Sequence, residues 1–432
     1  MTTAAHSVAR DAIHDPSRHS AIALGLRANW PQFSLLVVVN AFVGAMVGLE
    51  RSVMPIIARR EFGIASTTAI LLFIATFGLT KAFTNLASGW LADRGARRRV
   101  LIGGWVMGLP VPFLILHAPS WWWIVGANAL LGINQGLAWS TTVIMKIDLV
   151  GPARRGLAMG LNEFAGYGAV AVAGVVSGFV AAQYGLREGT AYAAFVIATT
   201  GLVLSLFVRD TRDHVRLETQ ASVRTTSNST PLRLSSILGR SLWSDPGLFS
   251  VSQAGLVNNL NDGLAWGVFP LLFVKSGLSL RQMSILASLY PAVWSVAQLA
   301  TGPLSDRWGR KGPVVVGMIA QGAALIAIAL TRDFAAWVVA LVVLGLGTAL
   351  VYPALLAAVG DLAQPSWRGV AVGVYRLWRD LGYVVGALLA GVAADFLGMS
   401  AAVMIVGVLT ALSGVLFAIR FRETRARIQP TI

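Results

Sequence analysis

Read as hydrophobic and polar positions, the chain is a series of long apolar runs separated by short polar breaks. Twelve runs stand out, near residues 33–57, 66–91, 99–117, 121–145, 157–183, 189–208, 246–275, 281–305, 312–331, 334–360, 368–394 and 399–419. A helix needs about 20 apolar residues to cross roughly 30 Å of hydrocarbon, so each run predicts a membrane-spanning helix. The longer runs can cross at a tilt. The pattern divides the chain into a polar tail (1–31), a first unit (32–208), a polar segment (209–245), a second unit (246–419) and a second tail (420–432). Residues 209–245 are rich in Ser, Thr and Arg and read as a mobile linker. The tail 1–31 lacks the apolar core of a cleavable signal peptide and reads as a short cytoplasmic tail.

The two units repeat one another at an offset of 213 residues. Gly89, Asp93, Arg94 and Arg97 match Gly302, Asp306, Arg307 and Arg310. Further on, Gly132, Asp148, Pro152, Arg155, Gly156, Gly160 and Gly185 match Gly345, Asp361, Pro365, Arg368, Gly369, Gly373 and Gly398. Upstream the offset is 215, with Pro55 matching Pro270. Glycine, proline and charge matched in order predict two pseudo-symmetric six-helix bundles. Duplicated halves of this kind place a solute site between them.

Composition narrows the class. The chain is 56% hydrophobic and 12% charged, where a soluble domain is typically about 25% charged. With no cysteine there is no disulfide framework and no thiol chemistry. The five histidines, His6, His14, His19, His117 and His214, form no ligand-spaced pair, so no metal site and no cofactor are expected. No nucleophile–base–acid set is visible, so no enzyme activity is expected. The net charge of +15 would suggest nucleic acid in a soluble chain. Here the arginines have another reading. With both termini inside, the inner segments hold twenty-three Lys and Arg, and the outer loops hold only Arg59, Arg60, Arg187, Lys275, Arg281 and Arg332. That bias predicts cytoplasmic termini and needs no nucleic-acid partner. Trp121, Trp122 and Trp123 open the fourth run as an interfacial anchor would.

Two loop motifs fall at the same place in each unit. The first reads Gly89-Trp-Leu-Ala-Asp93-Arg94-Gly-Ala-Arg97-Arg98, the second Gly302-Pro-Leu-Ser-Asp306-Arg307-Trp-Gly309-Arg310-Lys311. Both resemble the G-x-x-x-D-R-x-G-R-[RK] signature of the major facilitator superfamily. The first copy departs in having Ala96 at the usual glycine. The resemblance covers residues 33–419 and implies an inner-membrane secondary transporter that works by alternating access on a small-molecule substrate. It also implies that the motif, with Arg155 and Arg368, forms a cytoplasmic gate holding the outward-facing state. The residues themselves fit a gate. The glycines permit close helix approach, the charges sit at the cheaper membrane boundary, and Asp148 and Asp361 are natural partners for the arginines in a lock between the halves. The drug-antiporter pattern in the fifth helix, a central Gly-Pro, is not matched, since the run is Gly160-Leu-Asn-Glu-Phe-Ala-Gly166-Tyr-Gly168.

Nine charges fall inside the runs: Glu50, Arg51, Lys81, Lys146, Glu163, Asp262, Arg376, Arg379 and Asp380. A charge at the bilayer centre costs roughly 2.5–3.5 kcal/mol on insertion scales, so these should face the interior, as structural ion pairs between helices or as groups that serve substrate or proton. For Glu50 and Arg51, local pairing with other outer-half charges is the equal alternative. Arg376, Arg379, Asp380 and Tyr383 share one face of the eleventh helix. There Asp380 is expected to neutralise one guanidinium, and Glu163, the repeat mate of Arg376, or another carboxylate the second. Lys81 is placed to meet that helix across the interface, and the seventh helix adds Asn258, Asn259, Asn261 and Asp262. Spare arginine charge favours an organic anion, and the carboxylates offer coupling to protons. The alternatives are efflux of hydrophobic drugs and a non-transporting membrane sensor or assembly protein of the same fold. A monomer in the lipid bilayer is expected.

Overall fold

The computed structural model describes residues 23–94, 97–150, 155–222, 234–363 and 367–424. Within helices it leaves the side chains of Gly89, Trp90, 92–94, 155–158, 218–222, Leu234, Leu242, Trp243, Asp306, Arg368 and Gly369 undescribed. Expectations that rest on His6, His14, His19, Pro152, Arg154, 223–233, Pro365, Arg425 and Arg427 lie outside the described residues.

The first half consists of α1 (Trp30–Arg60), α2 (Thr67–Arg94), α3 (Arg97–Gly108), α4 (Pro110–Leu116), α5 (Trp121–Val150), α6 (Arg155–Tyr184) and α7 (Leu186–Leu206). Two short helices follow, α8 (Arg212–Ser222) and α9 (Leu234–Gly239), then a π-helical turn, Arg240–Ser244. The second half is α10 (Pro246–Lys275), α11 (Leu280–Trp308), α12 (Lys311–Leu330), α13 (Phe334–Leu362), α14 (Arg368–Leu397) and α15 (Met399–Arg420). Ten of these segments are long and apolar enough to cross a membrane, with α3 and α4 counted as one. The two that fall short are α5 and α10, each thirty residues long. Their interiors carry the polar groups: Asn128, Asn134, Gln135 and Lys146 in α5, and Asn258, Asn259, Asn261 and Asp262 in α10, all buried. Polar side chains facing protein lower hydropathy without exposing anything to lipid.

The repeat is visible in the backbone. Gly185 and Gly398 both stand at positive φ, 97° and 88°, where the chain reverses between two helices. A side chain with a Cβ rarely adopts that conformation. Pro55 and Pro270 both lie inside the first helix of their half. One run differs from its expectation. The apolar stretch 99–117 is divided at Leu109 because Pro110 and Pro112 have no N–H to give the helical ladder. The linker differs too: Ile237 is buried in the core of the second half with Leu248, Val359 and Tyr375, so this part of 209–245 is docked.

The halves meet through two long helix pairs, α2 with α14 and α6 with α11. Glycine makes the second pair close. A Cβ at Gly178 would stand 2.0 Å from Ser284 Oγ, and one at Gly174 2.5 Å from Ser288 Oγ. Gly382 and Gly386 do the same inside the second half, against the backbone of α10 at Leu256 and Leu260.

Candidate functional site

At the end that carries the linker, the repeat builds one device twice. Arg97 at the start of α3 pairs with Asp148 near the end of α5, at 2.7 Å, and Arg310 pairs with Asp361 at 2.9 Å. Thr211 Oγ1 donates to Asp148, as Thr424 Oγ1 donates to Asp361. Asp210 accepts from the Arg98 amide, and Glu423 accepts from the amides of Arg310 and Lys311. Each acidic residue thus satisfies free N–H groups at a helix start, where negative charge is favoured. Asp210, Thr211, Glu423 and Thr424 were not among the sequence candidates. Their signal is the same 213-residue offset, in Arg-Asp-Thr-Arg at 209–212 and Arg-Glu-Thr-Arg at 422–425. Both described pairs lie within a half, and neither joins the halves as the lock was expected to. Arg307 is exposed. The side chains of Gly89, Asp93, Arg94, Arg155, Asp306 and Arg368 lie outside those described; Gly302, on α11, is described.

The buried charges gather midway along the bundle, between the halves. Arg379 of α14 is 6% exposed. Its Nε donates to Asn259 Oδ1 (3.2 Å), Nη1 to Tyr352 OH (3.1 Å) and Nη2 to Tyr167 OH of the other half (2.7 Å). The guanidinium also lies 4.3 Å from the Tyr352 ring centre. Tyr167 packs on Trp294 and Trp139, and Trp294 on Tyr290 and Tyr352, giving a continuous aromatic wall. Tyr290 OH donates to Asp262, whose second carboxylate oxygen has no hydrogen-bond partner. Lys81 reaches from α2 into the same region. Its ammonium lies over the rings of Phe77, Trp139 and Tyr383 at 5.5, 5.6 and 5.2 Å, within the fields of Asp380 and Glu163.

The expected carboxylate partners of the arginines are elsewhere. Asp380 accepts from Asn85 Nδ2 of α2, and Asn85 in turn accepts from Ser140. Glu163 accepts from Trp139 Nε1 and Asn162 Nδ2. Adjacent helical positions differ by about 100° around the axis, so Arg379 and Asp380 address different neighbours. Arg376 is half-buried and makes none of these bonds. Lys146 is fully buried and donates to the Leu36 carbonyl at 3.3 Å. Asn258 accepts from Gln321, which accepts from Asn261, which accepts from Thr410, a chain that ties α10, α12 and α15 together inside one half. Glu50 and Arg51 are buried nearer the opposite end, each within the other's field and with Asn128 beside Glu50, and their charged atoms have no close hydrogen-bond partner among the described residues.

Two repeated helical halves enclosing a shared polar and aromatic centre define a membrane transport protein. The family comparison is specific. Residues 34–260 and 251–431 match the model of the Major Facilitator Superfamily, and the chain belongs to that family. The multidrug resistance protein MdtG of Enterobacter lignolyticus is 23% identical over 93% of this chain and 95% of its own. The class B tetracycline resistance protein of Escherichia coli is 24% identical over 75% and 76%. An uncharacterized MFS-type transporter of Bacillus subtilis, YybF, is 27% identical, and the match spans about a third of each chain. Among solved structures, an inward-facing bacterial homologue of the lysosomal transporter Spinster aligns with a TM-score of 0.68, 16% identity and coverage of 90% and 97%. A POT family transporter bound to a conjugated peptide aligns at 0.71, with 13% identity and coverage of 90% and 95%.

Proposed function

We propose that this transporter moves a small organic anion across the cytoplasmic membrane by alternating access, with Arg379 holding the anionic group. One observation carries this reading. Arg379 is a buried cation, and its three hydrogen bonds end on two phenols and an amide, with no carboxylate bonded to it. A buried charge whose hydrogen bonds all end on neutral groups is costly to hold, and the nearby Asp380 carboxylate is itself bonded to Asn85. An incoming carboxylate relieves that cost, and the planar guanidinium can bind it by two donors at once. Tyr167 belongs to one half and Asn259 and Tyr352 to the other, so a ligand on Arg379 would bias the relation of the halves. In this reading α5 and α10 also span the membrane, the linker end faces the cytoplasm as the arginine bias indicates, and the monomer is the transporting unit. Asp262, with one free carboxylate oxygen, and Asp380, Glu163 and Glu50 supply the proton coupling.

The test is binding and stability measured on one variant. Arg379→Lys keeps the charge and loses the fork. Solute affinity should fall at least tenfold, with the solute found by thermal stabilisation of purified protein across carboxylates, organic cations and drugs. The melting temperature should barely move. Normal affinity with a collapsed melting temperature would make Arg379 a structural strut and end the anion reading.

A second reading, efflux of hydrophobic compounds, draws on the aromatic wall of Trp139, Tyr167, Tyr290, Trp294 and Tyr352. It also draws on the relatives named for multidrug and tetracycline resistance. Stabilisation by hydrophobic cations that survives Arg379→Lys would favour it.

A further inference from the structure

Arg51 of α1 is 3% exposed, and among the described residues none of its three guanidinium nitrogens has a hydrogen-bond partner. Rings surround it: Phe77 at 4.2 Å, Phe73 at 5.1 Å and Trp266 at 5.2 Å from the guanidinium carbon. The group borders a small void where four helices of both halves converge, lined by Gly48, Ser52, Gly174, Trp266 and Ser288. Ser288 Oγ is buried and also lacks a partner. A Cβ placed on Gly174 would stand 2.5 Å from Ser288 Oγ and 3.1 Å from Ser52 Oγ, so two hydroxyls from opposite halves close on one spot. Cation and hydroxyls thus converge on a void of about 10 Å³, the room of a single water or a carboxylate oxygen.

Its place in the fold is as telling as its chemistry. The first helices of the halves repeat at an offset of 215, as Pro55 and Pro270 show, and at that offset Arg51 is the mate of Trp266. Two equivalent positions that touch must lie beside the pseudo-twofold axis. A substrate carried between the halves travels along that axis. Counting helical rise, Arg51 lies about 13 Å from the end opposite the linker, Lys81 about 21 Å and Arg379 about 27 Å. The three cations descend as steps. Phe77, shared by Arg51 and Lys81, and Tyr383, stacked on Trp266 at 5.0 Å, separate the first step from the others.

We propose that Arg51, with Ser52 and Ser288, forms a second anion station on the axis. It receives a carboxylate of the substrate on the far side of the Phe77–Tyr383–Trp266 septum from Arg379. The station rests on the anion reading above and adds to it a path with two resting points. Glu50 shares the field of Arg51, but among the described residues its carboxylate makes no hydrogen bond to the guanidinium, whose donors stay open.

Calorimetric titration of the purified full-length protein with benzoate, an aromatic monocarboxylate, tests it in wild type, R51Q, R379Q and the double variant. Two stations predict that R379Q keeps a weaker benzoate site, that R51Q removes a site and keeps the tighter one, and that the double variant binds at least a hundredfold more weakly than wild type. If R379Q binds nothing while R51Q titrates as wild type, the station is wrong and Arg379 stands alone. If R379Q titrates as wild type, the Arg379 reading fails instead. Melting temperatures guard against a folding artefact. Because the guanidinium donors of Arg51 are unmet among the described residues, R51Q should melt close to wild type. A lower melting temperature in R51Q that E50Q/R51Q restores would make the two residues a structural pair and overturn the proposal. Crystals soaked in bromide give a last check. An anomalous peak beside Arg51 that benzoate displaces supports a carboxylate station, and one it cannot displace assigns the spot to inorganic anions and ends the proposal.

Discussion

The two ends of the bundle are held in opposite ways. At the linker end, each half is clasped by its own copy of one device, Arg97–Asp148–Thr211 and Arg310–Asp361–Thr424. At the far end, beside bonds within each half such as Arg187–Glu61 and Arg332–Ser400, one contact used once runs between the halves. Asp395, near the end of α14, accepts from the Thr68 amide at 3.0 Å, from the Thr67 amide, and from the hydroxyls of Ser66 and Thr68, both at 2.7 Å. It caps the start of α2 from the other half. Ala182 stands 213 positions earlier and has no carboxylate, so the cap has no twin. Nearby, Gly178 lets Ser284 come close across the second helix pair. Clasps inside each half make two stiff bodies. Between those bodies the far end is joined by a cap and by small residues, while the middle of the joint is held by Arg379 on Tyr167, Asn85 on Asp380 and Tyr167 on Trp294. A transporter that alternates needs this division of labour.

The largest effect should come from breaking a clasp. The Arg97–Asp148 pair is nearly as buried at both ends, whereas Asp361 is a third exposed. Removing one partner of a buried pair takes the nearest counter-charge from the other, so Asp148→Ala should cost about 3 kcal/mol of stability. Asp361→Ala should cost clearly less, because the Asp361 carboxylate is already a third in water and Arg310 keeps its bond to Ser305 Oγ at 3.0 Å. Denaturation of the two variants in the same detergent decides whether the copies differ in this order; equal losses would mean burial is not what separates them.

The far-end cap should act on shape more than on folding. Loss of an N-cap is worth about 1 kcal/mol, a factor of about five in a two-state population. Asp395→Ala should therefore raise labelling of a cysteine introduced at Ser52 about fivefold, while melting changes little. The natural absence of cysteine makes the assay clean. Unchanged labelling would show that the cap does not hold the far end closed.

The smallest effect belongs to the linker end. His214 Nε2 meets Asn29 Oδ1 at 3.1 Å, and partial burial holds its pKa below the ordinary 6.5, against the pull of Asp213. Because the folded form binds the proton less readily than the unfolded one, His214 favours folding above pH 6.5. That contribution is lost as pH falls through the lowered folded value. Melting temperatures of wild type and His214→Gln between pH 8 and pH 5 should converge as the pH drops. A constant gap would exclude the histidine.

Much of this was legible along the chain. The apolar runs agree with the helices because a lipid-crossing segment must satisfy its backbone internally and cover itself with apolar side chains. The 213-residue offset marked both clasp arginines and both aspartates. It equally marked Thr211 and Thr424, which lie just past the last helix of each half, where attention to the apolar runs had ended. The partners of Arg379 and Asp380 were not legible. Sequence spacing places them on one helix face and suggests that they neutralise each other, but what each touches depends on α2, α6, α10 and α13 arriving from far along the chain.

The sequence by itself determined the helices, their count to within the two polar ones, the duplication and the charged motifs, since these follow from local hydropathy and from repetition. Only the tertiary structure decided which charges have counter-charges. It left Arg379 bonded to neutral groups, set Arg51 against its own repeat mate on the axis, and carried Asp395 onto a helix 327 residues away. Those outcomes depend on how two copies of one bundle face each other, and a repeat read along one dimension does not record the angle between its copies.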